Sequence, residues 1–474
     1  VQGSGQFDPE RAASGAAARV HLVKGRPEMQ PDESFLLTDL YQLAMMEAYV
    51  ADGQTDTAVF EFFVRKLPER RNFFVATGLE QVLDFLENLH VPAAELDWLA
   101  QSGRFGQGFL DYLSDFRFTG DVHAMPEGTV FFPDEPIIRV TAPLPEAQYV
   151  ETRIINLLQF QSMVAARAAR MVSAGGSADL VDFGLRRAHG AQSGLLAARA
   201  AYLAGFAGTA TVLAGQRFGV PIHGTMAHSY IQAHENEEEA FLRFARARPD
   251  NLVLLIDTFD TVEGARKVAR LAPKLKAEGI EVTAVRLDSG DLGALARKVR
   301  AIFDDAGLVH IGIFASGGLD EDKIAALVAQ GAPIDGYGVG SALTSVSDAP
   351  VLDCAYKLQE YAGLARRKLS TGKATWPGRK QVWRRFDAQG RMTGDVLSLE
   401  DDAQQGTPLI EKVMEGGRRL GPAPDLRAVR DHAASQVAQL PDRLQGLAAA
   451  HDYPVEVAPA LRSLADEVDR RMGV

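Results

Sequence analysis

The feature that most restricts the fold is a change of texture near residue 150. From there to about 345, short apolar runs alternate with helical stretches. The runs are Leu180 to Phe183, Ala210 to Leu213, Phe218 to His223, Leu252 to Asp257, Val282 to Asp288, Ile311 to Ala315 and Gly336 to Gly340. After Asp291, Leu292, Leu295, Ala296, Val299, Ile302 and Phe303 recur at the spacing of a helix laid on a sheet. About seven such β-then-α units predict an α/β fold with a parallel sheet closed, or nearly closed, into a barrel. A doubly wound open sheet is the structural alternative.

The remainder divides around this block. Residues 1–33 are rich in Gly, Ala, Ser and Gln without a period and read as a disordered leader. In an N-terminal α/β domain, 34–145, a helix follows Ser34, a strand covers 57–64 and an amphipathic helix covers 78–89. Short β-type runs punctuated by Pro126, Pro133 and Pro136 complete it. Residues 146–350 form the barrel, and 351–474 a basic segment with an Ala/Leu-rich helical tail. One cysteine, Cys354, excludes an intramolecular disulfide and reads as a small buried side chain. The absence of a long apolar run or a secretory start points to a cytoplasmic protein without membrane contact.

With 50 Lys and Arg against 62 Asp and Glu, the net charge is −12, which argues against nucleic acid as a partner. One segment inverts the balance: nine cations between Arg366 and Arg391 face the single acid Asp387. Such an island is either a solvated loop or an anion receptor.

In a parallel barrel the catalytic rim lies where strands end, and here the polar residues fall at that rim. Asp182-Phe183-Gly184, Gly208-Thr209, His223-Gly224-Thr225, Asp257-Thr258, Asp288-Ser289-Gly290, Ser316-Gly317-Gly318 and Gly338-Val339-Gly340-Ser341 each follow an apolar run. Any one alone is satisfied by helix capping or a turn. Capping does not, however, call for carboxylates such as Asp257 and Asp288 at the ends of buried strands. The glycine-rich turns suit a phosphate, because backbone N–H groups can converge where no Cβ intervenes. Neither has the spacing of a Walker-A loop or a dinucleotide fingerprint. The Asp288 loop is suited to Mg²⁺ or ribose hydroxyls. His228 begins a helix read as running toward Arg246, where a phosphoryl group on its imidazole would face free N–H groups. An exposed helix histidine satisfied by water is the alternative there. His234, among Glu235 and Glu237 to Glu239, reads as a solvated face.

Taken together, Leu37-Thr38-Asp39-Leu40-Tyr41-Gln42, Val181-Asp182-Phe183-Gly184, Gly224-Thr225-Met226-Ala227-His228-Ser229, Arg286-Leu287-Asp288-Ser289-Gly290-Asp291 and Ser316-Gly317-Gly318-Leu319-Asp320 resemble the nicotinate phosphoribosyltransferase family. Lys368-Leu369-Ser370 and Pro377 to Val382 follow the same pattern, so the likeness spans about Leu36 to about Phe386. It implies an irregular α/β barrel joined to an N-terminal α/β domain, in a homodimer with shared active sites. It implies nicotinate, phosphoribosyl pyrophosphate and ATP as substrates, with Mg²⁺ whose ligands stay unassigned.

By the same likeness His228 carries a phosphoryl group from ATP, and Asp257 and Asp288 act at the ribose. Phe183 and the partner subunit's Tyr41 sandwich the pyridine ring, while Arg186, Thr209 and Arg286 attend the nicotinate. Ser289, Gly290, Ser316, Gly317, Gly318, Gly340 and Ser341 hold the phosphoribosyl group, and Arg65, Lys373 and Lys380 its pyrophosphate. Nicotinamide-using relatives carry an aspartate where this chain has Ala210. The rival readings are nicotinamide or quinolinate phosphoribosyl transfer, and a non-catalytic sensor of phosphoribosyl pyrophosphate.

Overall fold

The structure, a computed structural model, describes residues 34–370 and 372–473; the leader expected over 1–33 lies outside them. The strand expected over 57–64 forms as Thr57–Val64 and is buried on both faces past its first residue. It is flanked antiparallel by Ile138–Pro143 and by Cys354–Tyr361. Phe60 stacks on Tyr356 with ring centroids 5.0 Å apart. The chain therefore returns after the barrel to close the sheet on which it began. Asp121–Ala124 and then Glu411–Glu415 extend the other edge.

Residues 351–474 thus contain more than a helical tail. Besides the helices Leu426–Ala438 and Pro459–Met472, they add strands to the N-terminal sheet and build a four-stranded sheet around Lys380–Phe386 and Met392–Leu399. The helices were visible through their local period; the strands added to the N-terminal sheet depend on partners some three hundred positions away.

The parallel sheet has six strands in the order Gly208–Thr209, Asp179–Asp182, Gly336–Val339, Gly312–Ala315, Val282–Leu287, Leu252–Leu255. Two expected strands are absent. Ala210 to Leu213 leads instead into the helix Val212–Phe218, which ends at Gly219 in the left-handed region, φ 69°. Of Phe218 to His223, only Ile222 touches the sheet, through one bridge to Thr209. The apolar runs there were too short to separate a strand from a short helix. The barrel is accordingly irregular, with no ladder among the described residues between Ile222 and Leu252–Leu255.

The outer helices Thr261–Ala277, Leu292–Asp305 and Glu321–Ala329 are N-capped by Asp260, Asp291 and Asp320, whose side chains accept from Glu263, Ala294 and Lys323 N–H. Each cap contributes about 1 kcal/mol. These aspartates begin helices, whereas Asp257 and Asp288 come just after strands at the rim and Asp182 closes its strand from within. The 25-residue helix Glu151–Gly175 joins the two halves and is buried along most of its length. No helix among the described residues is long and apolar enough to cross a membrane.

Candidate active site

Asp182 ends its strand fully buried, accepting from Thr209 Oγ1 at 2.7 Å and from Gly184 N at 2.7 Å. Burial raises its carboxyl above the ordinary value, although both hydrogen bonds oppose this. The two bonds fix the turn that carries Phe183. Glycine at 338 is required beneath that ring, because a Cβ there would come within 2.6 Å of it. Over Phe183 lies the Arg286 guanidinium, 5.2 Å from the ring centroid.

Phe183 and Arg286 line one side of a cavity of about 670 Å³, within the range of small-molecule sites. Leu185, Arg186, Ala210, Val212, Ile222, His223, Thr225, His228, Leu255 and Asp288 complete most of its wall. Arg186 sits on a single exposed turn, Leu185–Arg187, and no hydrogen bond to another described residue engages its side chain. A second cavity of similar volume, lined by Phe85, Arg153, Leu196, Arg217 and Phe218, contains none of the rim residues.

The charged end is a chain of contacts. Arg286 donates through Nη2 to Asp288 Oδ1 at 2.7 Å, through Nε to Ser316 Oγ at 2.8 Å and through Nη1 to Thr225 Oγ1 at 3.3 Å. Ser316 also donates to Asp288. Burial pushes the Asp288 carboxyl up, but the Ser316 hydroxyl and the Arg286 charge outweigh it and hold the group below its ordinary range. Asp288 Oδ2 lies 3.8 Å from His228 Nε2, and His228 Nδ1 lies 3.1 Å from Thr258 Oγ1. Asp257 Oδ2 accepts from Asp288 N at 2.9 Å and Ser289 Oγ at 2.7 Å. Its Oδ1 is buried with no hydrogen-bond partner.

The two glycine turns follow neighbouring strands, since Phe314 pairs with Gly336. Gly317 has φ 99°, and a Cβ there would meet the Asp288 carbonyl oxygen at 2.0 Å, so only glycine fits. Gly340 precedes the short helix Ser341–Ser345. Ser289, Gly290, Ser316, Gly317 and Gly318 thus flank Asp288, with Gly340 and Ser341 just past the end of the strand on the far side of Gly312–Ala315.

Other expectations fare differently. Thr209 does not face the cavity: it is fully buried, and its hydroxyl binds Asp182 and accepts from Thr211 N at 2.9 Å. Lys380 is not an anion receptor on a loop. Its ammonium lies 2.6 Å from the buried carboxylate of Glu61 and donates to the carbonyls of Trp376 and Gly378. Arg65 pairs with Asp353 at 2.9 Å, and Lys373 is exposed on its loop; neither lines the cavity of its own chain. Tyr41 is 48% exposed on the helix Leu40–Ala51, its hydroxyl 3.4 Å from Glu151, also outside the cavity. The helix expected from His228 to Arg246 is two, His228–Gln232 and Glu237–Ala247, because Asn236 caps the second. His228 therefore gains little from a helix dipole. Glu237 is not solvated but buried against Lys267 at 2.8 Å. Cys354 is half-buried, and burial pushes its thiol up to about 11.

Sequence reasoning missed the apolar wall of Leu185, Val212, Ile222 and Leu255. A signal existed in the exposed Val212, 69%, and Ile222, 52%, but exposure is itself a tertiary property.

Three family profiles match the chain: the nicotinate phosphoribosyltransferase N-terminal domain over residues 36–159, the family core over 178–362 and the C-terminal domain over 402–465. Nicotinate phosphoribosyltransferase pncB2 of Mycobacterium tuberculosis is 48% identical over 425 residues, covering 89% of this chain and 91% of that protein. The Bacillus subtilis nicotinate phosphoribosyltransferase is 38% identical over 379 residues, covering 78% and 77%. The crystal structure of human nicotinic acid phosphoribosyltransferase superposes with a TM-score of 0.83 at 28% identity, covering 91% of this chain and all of that one. With its rim chemistry, irregular barrel and near-full-length relatives in agreement, this chain belongs to the nicotinate phosphoribosyltransferase family, enzymes of NAD biosynthesis from nicotinate.

Proposed function

We propose that the chain joins nicotinate to phosphoribosyl pyrophosphate, releasing pyrophosphate, and couples this to ATP hydrolysis through a phosphoryl group on His228. The observation that carries the reading is the cavity itself. An aromatic face, Phe183, and a cation without a described partner, Arg186, meet a wall that is uncharged at Ala210. A planar ring stacks on Phe183, and its carboxylate is drawn to Arg186. Arg286 is already neutralised by Asp288, so it positions rather than supplies the main countercharge. An amide would find no acceptor at Ala210 and would lose a hydrogen bond on leaving water.

The pyridine nitrogen is its own nucleophile. As its bond to the ribose anomeric carbon forms, the bond to pyrophosphate breaks and pyrophosphate leaves with the electron pair. Positive charge then develops on the ribose and negative charge on the leaving group. Asp257, with an unpaired carboxylate oxygen, is better placed to face that positive charge than Asp288, which is engaged by Arg286 and Ser316. The backbone of Gly317, Gly318, Gly340 and Ser341 receives the 5′-phosphate.

Mg²⁺ is commonly held by one or two carboxylates together with substrate phosphates, and Asp257 Oδ1 would hold it in place of facing the ribose directly. Bound there, the ion would neutralise charge on the diphosphate. The described residues offer no cluster of three or more His, Cys, Asp or Glu as a cage, in keeping with an ion shared with substrate.

The second face of the ring comes from a partner subunit's Tyr41. Leu37, Leu40 and Tyr41 are 44%, 56% and 48% exposed, an apolar edge suited to burial in a homodimer. Tyr41→Ala and Phe183→Ala should each be nearly inactive, and subunit exchange between them should restore about one intact site per heterodimer. Absence of recovery would exclude a shared site. For the reaction, pyrophosphate release is measured with nicotinate or nicotinamide, each with and without ATP. Release with nicotinate, increased by ATP, is expected. Preference for the amide would favour the nicotinamide reading, and binding of the phosphosugar without release would make the chain a sensor.

A further inference from the structure

The two ring nitrogens of His228 meet different chemistry. Nδ1 lies 3.1 Å from the Thr258 hydroxyl, and Nε2 lies 3.8 Å from a carboxylate oxygen of Asp288. A hydroxyl either donates or accepts, whereas an ionised carboxylate only accepts. The other carboxylate oxygen of Asp288 accepts from Arg286 Nη2 at 2.7 Å and from the Ser316 hydroxyl, so the carboxylate is already an acceptor on that side. It therefore favours an N–H at Nε2 over a lone pair. In the neutral ring this leaves the lone pair on Nδ1, where it accepts the Thr258 hydroxyl proton.

We propose that Thr258 is a positioning residue which, together with Asp288, orients the His228 ring so that Nδ1 is the nucleophile toward ATP. The inference rests on the phosphohistidine reading above.

The backbone explains why this hydroxyl can set the ring. Thr258 follows Asp257, whose carboxylate is pinned by Asp288 N and Ser289 Oγ just beyond the strand Leu252–Leu255. His228, by contrast, opens a five-residue helix without a side-chain cap, and its side chain is 40% exposed. Left alone, its ring would rotate about χ2 and exchange its edges, since that torsion is broad. The Thr258 bond connects the looser element to the firmer one.

In the step itself the Nδ1 lone pair attacks the γ-phosphorus of ATP. The Nδ1–P bond forms, the bridging P–O bond breaks, and ADP leaves with that electron pair. The proton stays on Nε2, and the phosphoimidazolium charge is balanced by Asp288. Thr258 loses its acceptor and turns to a phosphoryl oxygen. Transfer to water returns the electron pair to Nδ1, and the Thr258 bond re-forms.

Two measurements on the full-length enzyme test this. Nitrogen-15 NMR of labelled histidine, with the His228 signals assigned by their loss in His228→Ala, should show the Nε2–H tautomer. In Thr258→Val the two tautomers should mix, and Thr258→Ser should restore the first. With γ-³²P-ATP, the wild type should carry its label on Nδ1. Thr258→Val should label about tenfold more slowly, as loss of one hydrogen bond allows, or on both nitrogens. Label on Nε2 in the wild type, an Nδ1–H tautomer, or unaltered Nδ1 labelling in Thr258→Val overturns the proposal while leaving the phosphohistidine intact. If the wild type takes up no label, the phosphohistidine reading falls, and this inference with it.

Discussion

The barrel rim and the C-terminal staple, the four-stranded sheet around Lys380–Phe386 and Met392–Leu399 with the residues packed on it, are both dense in charge, yet they treat it in opposite ways. In the staple, Arg384 is fully buried and donates twice to Asp395, at 3.0 and 2.6 Å, and once to Gln436 at 3.0 Å. Tyr453 donates to the same Asp395 at 2.9 Å. Burial drives the neighbouring Glu135 carboxyl well above its ordinary value, and the nearby Asp395 adds to the rise. Lys380 and Glu61 form a second closed pair that ties the basic segment to the first strand. At the rim, by contrast, Asp257 Oδ1 lacks a partner, Arg186 faces the cavity, and His228 is held by only one hydrogen bond. A charge paired inside the closed interior is architecture, even where one oxygen, Glu135 Oε1, finds no hydrogen-bond partner. Charges left incomplete around a cavity are where a substrate can bind.

The sharpest way to break this contrast is at His228. His228→Ala should abolish ATP hydrolysis linked to turnover and acid-labile ³²P incorporation, while some uncoupled synthesis persists at high substrate. Its thermal stability should stay near that of the wild type, because the side chain is partly exposed. Undiminished labelling would remove His228 from the mechanism.

Arg384→Met probes the other side. It leaves Asp395 buried beside Glu135 without its cation, which should cost about 3–5 kcal/mol in denaturant unfolding. Pairing it with Asp395→Leu should recover much of that loss. If Arg384→Met instead reduced activity with stability unchanged, the staple would be part of the site after all.

Ala210→Asp should weaken nicotinate use by about 2–4 kcal/mol in kcat/KM, as an anion beside the substrate carboxylate would. Any gain with nicotinamide should be smaller than that loss, since the arginines remain. An unchanged nicotinate value would show that position 210 does not set specificity.

The smallest effect concerns Asp288, whose carboxyl is held below its ordinary value of 3.8. Relative to the unfolded chain, the folded state then binds fewer protons, so this contact contributes stability above about pH 4 that is lost as pH falls through the lowered value. The difference in Tm between the wild type and Asp288→Asn should therefore shrink on going from pH 6 to pH 3. A difference independent of pH would mean that the ionic contact does not contribute.

Much of the rim was legible because its signals are local. Asp257, Asp288 and the Ser316-Gly317-Gly318 turn each directly follow an apolar run, and the covering helices announce themselves by period and by a capping aspartate three residues ahead of the N–H it accepts. Thr209 was misread for the complementary reason. Its place beside the rim was clear, but whether its hydroxyl turned to the cavity or to Asp182 depended on packing.

The amino-acid sequence by itself determined the alternation of strands and helices, the chemistry at the strand ends and the small neutral residue at 210. These follow from side-chain types within a few positions of one another, where backbone geometry alone brings them together. Only the tertiary structure decided that Lys380 would be sealed against Glu61, that Cys354–Tyr361 would pair with Thr57–Val64, and that Tyr41 would stand outside its own chain's cavity. Those choices join residues up to some three hundred positions apart. Several partners of the right charge or shape exist for each, and the pairing is settled by which arrangement buries the apolar faces while leaving the fewest buried polar groups unpaired.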